Sequence, residues 1–199
     1  MSHLEPAEIA KLLSAGSPFA ESCRHLAAVC TVCGQRLAEV EALMQRFRHW
    51  DAETVVREGP AAEVLFEALL EKGKNPQGWA ALVEKDPDYQ TWGVAWVALE
   101  GAHKLIAEDA TRAQARNLAL LAARIAALLG ASYNPDWVAD LKALAHATAA
   151  AAGPPGADSA ETVRQVAAAV TALDQGTGDP AVATEVMGLL SQVLRQVAE

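Results

Sequence analysis

Basic residues gather nowhere in this chain, and that shortage limits what it can bind. The formal net charge is −9, and residues 1–50 hold five acids and five bases, so the excess acidity lies downstream. A phosphate backbone is held by Lys/Arg clusters that replace released counterions, so nucleic acid is not an expected direct partner. Apolar runs are short as well. None approaches the ~20 residues needed to cross a bilayer. The opening "MSHLEPAEIAKLL" carries Glu5 and Glu8 where an export signal would carry basic residues and an apolar stretch, which points to a cytoplasmic protein. Cysteines number three, an odd count that does not suit a disulfide framework. Missing too are a Gly-rich phosphate loop, HExxH and GxSxG, and no nucleophile accompanies His103 or His146 in a recognisable motif. A non-catalytic protein is expected.

Alanine and isolated valines dominate what is present. Hydrophobic residues make up 52% of the 199 positions and aromatics only 5%, a helical composition. Periodicity and breakers predict helices over about 5–14, 18–28 (Ser17 as cap, Pro18 first), 31–47, 61–72, 76–85, 86–109, 110–129, 135–152, 158–174 and 180–198. In the third, Leu37, Val40, Leu43, Met44 and Phe47 form a stripe. Asp51, Asn75, Asp158 and Asp179 are natural caps, and "HWDAETVVREGP" should close the first unit with a turn and a short helix. Trp92 and Trp96 are one turn apart and, with Leu99 and Leu105, point to a core face, as do Tyr89 and Trp137. Trp50 is expected to pack the head onto the body and His49 to be solvated. Helices joined by short breaks suggest stacked antiparallel hairpins, although no fixed repeat period emerges.

All three cysteines fall in "CRHLAAVCTVCGQRL", with a histidine among them. His25, Cys30 and Cys33 supply three donors of the kind zinc prefers, and a closed structural site needs four. The fourth is His3, returned by a helical hairpin, or Cys23. Residues 23 and 25 lie about 200° apart on a helix, which favours His3. Two other readings remain: cysteines packed as small hydrophobes with His25 on the surface, and a redox CxxC pair, which normally follows a strand.

The string "HLAAVCTVC" resembles the metal-binding element of the zinc-binding anti-sigma factor family, in which an early His, a short helix and a second helix with a His precede a CxxC pair. "HLEPAEIAKLLSAG", "SPFAESCRHLAAV" and "CTVCGQRLAEVEALM" correspond to these parts. The resemblance implies Zn2+ held by His3, His25, Cys30 and Cys33, and a sigma factor as protein partner. Further on, "QTW" at Gln90–Trp92 and "VADL" at Val138–Leu141 are similar to segments of bacterial proteins that join this zinc element to tetratricopeptide-like repeats.

The expected protein is therefore all-α. It has a zinc-stapled head (1–50), a helical-hairpin body (51–152) and a C-terminal hairpin (158–199) after the linker "AAGPPGADS". Its expected role is that of a regulator or adaptor; the competing role is a tetratricopeptide-like scaffold that binds a partner protein without any sigma-factor function. The sequence leaves the oligomeric state open.

Overall fold

The computed structural model describes residues 3–14, 24, 28–46, 52–153 and 160–198. Among these the protein is all-helical: α1 (Pro6–Ser14), α2 (Thr31–Arg46), α3 (Ala52–Gly73), α4 (Pro76–Lys85), α5 (Trp92–Leu105), α6 (Arg112–Leu128), α7 (Pro135–Ala151), α8 (Ala160–Asp174) and α9 (Pro180–Ala198). Most of the helix expected over 18–28 lies outside the described residues. So do Cys23, His25, Phe47, His49, Trp50, Asp51 and Asp158.

The helix starts have local causes. Asn75 accepts a hydrogen bond from the Gly78 amide at 2.9 Å with Pro76 opening α4, and Asp179 accepts from Ala181 at 2.8 Å with Pro180 opening α9. Each cap satisfies an amide that the first turn leaves without a carbonyl. The turn between α3 and α4 is tight enough to require glycine, because a Cβ on Gly78 would sit 2.0 Å from the Gly73 carbonyl oxygen.

Two helices differ from the periodicity reading. A short helix ending at "REGP" and a separate one over about 61–72 were expected, yet α3 runs unbroken with Pro60 inside it. Proline there removes one ladder hydrogen bond. Against that loss, Val55, Ala62 and Leu69 are all fully buried at heptad spacing, one continuous stripe that a break would divide. The single helix expected over 86–109 is instead a 3-10 turn at Pro87–Tyr89, then α5, then a 3-10 turn at Asp109–Thr111. Side chains that compete with helical hydrogen bonding set these boundaries. Asp86 accepts from the Asp88 amide at 3.1 Å, and Thr91 accepts from Val94 at 3.3 Å and so restarts the helix.

The chain forms two compact units, Met1–Ala61 and Ala62–Glu199. In the first, Ile9 and Ala10 of α1 pack on Leu37 and Val40 of α2, with Leu4, Leu13, Met44, Ala52 and Val56 around them. In the second, α5 packs on α6, α6 on α7 and α7 on α8 in succession, and α9 returns to α7 more than to α8. Buried alanines line these contacts, among them Ala95, Ala98 and Ala102 of α5 and Ala115, Ala119 and Ala122 of α6, which lets the helices approach closely. Trp92 and Leu99 are buried as the spacing implies. Trp96 is half-buried, its ring 5.9 Å from that of Trp92 and its indole donating to Glu100 at 3.2 Å. Tyr89 is buried with Lys72 donating to its hydroxyl at 3.0 Å.

Candidate metal centre

Everything at this site follows from how α1 and α2 begin. Cys30 precedes Thr31, the first residue of α2, and its carbonyl accepts the first helical hydrogen bond from Gly34 at 2.9 Å. Cys30 is thus the N-cap. A side-chain acceptor at the N-cap faces the amides of the second and third helical residues. Here these are Val32 and Cys33, so the CxxC spacing aims the Cys33 amide at the Cys30 sulfur. That amide, followed by the Cys33 thiol and the Val32 amide, holds the Cys30 thiol below its ordinary value. The N-terminal turn of a helix thereby favours the thiolate, the form that binds metal.

Cys33 lies on the buried side of α2, in register with Leu37 and Val40. The segment leading into α1 supplies the third donor. Glu5 caps that helix, its carbonyl accepting from Glu8 at 3.0 Å and Ile9 at 3.1 Å, and Glu8 reaches back to the Glu5 amide at 2.9 Å. This is one half of a capping box, and Leu4, packed into the same cluster as Ile9, adds the hydrophobic staple. Arg36, one turn beyond Cys33, donates to the Leu4 carbonyl at 2.7 Å and to Glu5 at 3.2 Å. Held by cap, staple and clamp, the segment before α1 places His3 Nδ1 3.5 Å from Cys30 Sγ and 3.7 Å from Cys33 Sγ.

The three donor atoms lie within 4.8 Å of one another and could hold a metal ion. Their spacing fits a tetrahedral centre. With Zn–S of about 2.3 Å and Zn–N of about 2.0 to 2.1 Å, the S···N edge of a tetrahedron is about 3.6 Å, between the two distances found. Two sulfurs and an imidazole nitrogen form a soft donor set suited to zinc rather than to magnesium or calcium. Of the expected ligands, His3, Cys30 and Cys33 converge, while His25 and the alternative Cys23 lie outside the described residues.

Sequence reasoning missed Arg36 and the cap on Glu5. The pattern Glu5-Pro6-x-Glu8 does carry a capping signal, whereas nothing local announces that Arg36 will find the Leu4 carbonyl.

The two histidines weighed for catalysis sit in structural hydrogen bonds. His103 Nε2 lies 2.8 Å from the Thr148 hydroxyl, and His146 Nδ1 lies 2.6 Å from Gln165 Oε1. Among the described residues no helix is long and apolar enough to cross a membrane. No family model matches the chain, and no curated protein or solved structure matches it.

Proposed function

We propose that the chain is a non-catalytic cytoplasmic regulator or adaptor whose head is stapled by zinc and whose helical body recognises another protein. One observation carries the reading: His3, far from the cysteines in sequence, meets Cys30 and Cys33 at tetrahedral spacing. Zinc would be held by these three and, by resemblance to the anti-sigma element, by His25. Bound there, it would tie the segment before α1 to the start of α2 and make folding of the head depend on metal. The same resemblance names a sigma factor as the partner class, with the head covering a surface that the sigma factor uses to bind polymerase.

Elemental mass spectrometry of protein purified under reducing conditions tests the metal. About one zinc per chain is expected, with loss in Cys30→Ser and in His3→Ala. Zinc-free wild-type protein purified without chelator would overturn the centre and leave three cysteines packed in a helical scaffold. The partner is tested separately, by titrating the zinc-loaded protein with a purified sigma factor encoded beside its gene. Binding lost on chelation supports the regulatory role, and an intact zinc site without binding removes the sigma-factor part while keeping the metal.

A further inference from the structure

The peptide between Leu4 and Glu5 is held at both of its polar groups. Its N–H, on Glu5, donates to Glu8 at 2.9 Å, and its carbonyl, on Leu4, accepts from Arg36 at 2.7 Å. Glu8 belongs to α1, so its bond ties the peptide to its own helix. Arg36 belongs to α2, the helix that carries Cys33 and begins just after Cys30, so its bond ties the same peptide to the helix of the sulfur donors. A planar unit bonded from two sides loses its freedom to rotate, and His3 is the next residue along the chain.

The ladder of α1 offers this carbonyl no donor. Leu4 lies before the cap residue Glu5, whose own carbonyl takes the first helical hydrogen bonds. The Arg36 side chain that reaches Leu4 is 31% exposed, so the bond is charge-assisted and partly shielded from water, which makes it stronger than a neutral one. The same nitrogen donates to Glu5 Oε1 at 3.2 Å, but that carboxylate is 67% exposed and adds little. Spacing completes the arrangement. Cys33 and Arg36 are one turn apart on α2, and they meet consecutive residues of the leading segment: Cys33 Sγ lies 3.7 Å from His3 Nδ1, and Arg36 grips Leu4. Cys30 and Cys33 are placed by the first turn of α2 itself. Of the three converging donors, His3 is the one that comes from a separate segment.

We propose that Arg36 is the positioning residue of this metal centre. Its hydrogen bond to the Leu4 carbonyl presents His3 Nδ1 to an ion held by Cys30 and Cys33, so the third donor is ordered before the metal arrives. Outer contacts that orient a ligand change metal affinity about 10- to 100-fold. The inference rests on the metal reading of the head and adds to it the side chain on which His3 depends.

Metal titrations of the full chain test it, with circular dichroism of the metal-loaded form to verify that each variant is folded. Zn2+ is read by competition with a chromophoric chelator, and Cd2+ by its thiolate absorption, which the two cysteines still give without His3. Arg36→Ala should weaken the binding of both ions by about tenfold or more. Arg36→Lys should recover part of that loss, and Glu5→Gln should cost roughly fivefold at most. In a His3→Ala background, Arg36→Ala should cost no further Cd2+ affinity, since the residue through which it acts is gone. An equal loss with and without His3 would make Arg36 a general support of the head and overturn the proposal. So would Zn2+ bound as tightly by Arg36→Ala as by wild type, a result that leaves the centre standing. Wild type that binds neither ion removes the centre, and this inference with it.

Discussion

The two units cover their helix faces by different means. In the head, the described core is a small cluster of Ile9, Ala10, Leu37 and Val40 with partly buried neighbours, none of them aromatic. The body buries Trp92, Leu99, Ile125, Leu141 and Leu144 almost completely, together with alanines on every central helix. Burying a Leu- or Val-sized side chain contributes about 1.5 to 3 kcal/mol, against about 1 to 2 kcal/mol of backbone entropy for each residue ordered. Among the described residues the head has few such side chains, so the proposed metal cross-link at His3 would matter more there. The body has enough core without one.

Metal removal breaks the comparison most sharply. With the proposed zinc bound, amide exchange in residues 3–14 and 31–46 should be slow; after chelation it should rise to near the unfolded rate, while α5, α6 and α7 keep their protection. Hydrogen exchange read by mass spectrometry resolves the two units. Equal loss in both would refute the idea that only the head depends on the staple, and no change in either would mean that the head's small core suffices.

In the body, the tight spot is polar. Asp140 of α7 is 6% exposed and accepts from the Thr177 amide at 3.2 Å and hydroxyl at 2.6 Å. Thr177 in turn accepts from the Asp179 amide at 3.1 Å, just where Asp179 caps α9. A Cβ on Gly176 would lie 1.9 Å from Asp140 Oδ1. Gly176→Ala should therefore displace this latch and destabilise the body by about 2 to 3 kcal/mol. Gly130→Ala, where nothing lies within 4 Å of the added carbon, should change little. Denaturant titrations of both variants give the answer; equal midpoints would mean that the loop yields without cost.

How much of this was legible in advance differs between the units for physical reasons. Caps are local, so Asn75 and Asp179 announced α4 and α9, and the Gly/Asn/Pro break at 130–135 announced α7. The unbroken α3 was hidden because Pro60 is a local stop signal overridden by burial at Val55, Ala62 and Leu69. The start of α5 was hidden because Trp92 and Trp96 continue an apolar pattern that Thr91 interrupts only through its hydroxyl. At the metal centre, donor types and the CxxC spacing were visible. The Arg36 clamp that sets His3 was not, since it joins residues far apart in the chain.

The smallest expected effect concerns pH, and it belongs to the body alone. The Thr148 hydroxyl donates its one proton to the Leu144 carbonyl at 2.7 Å, so its contact with His103 must be an Nε2–H donation. That leaves Nδ1 facing Glu185 at 3.6 Å. Burial disfavours the charged ring and holds His103 below its ordinary value of 6.5, although Glu185 and Glu100 pull the other way. The folded state thus binds this proton less readily than the unfolded chain does. The neutral ring contributes its full stability above pH 6.5, and that contribution fades as pH falls below 6.5 through the folded value. Wild-type stability should therefore drop over that window by more than His103→Gln does, with the proton exchange of α5, α7 and α9 accelerating together. Denaturation curves at stepped pH, with the His103 ring titrated by NMR, measure both. A ring that titrates above 6.5 would reverse the sign and make Glu185, rather than burial, the stronger influence on it.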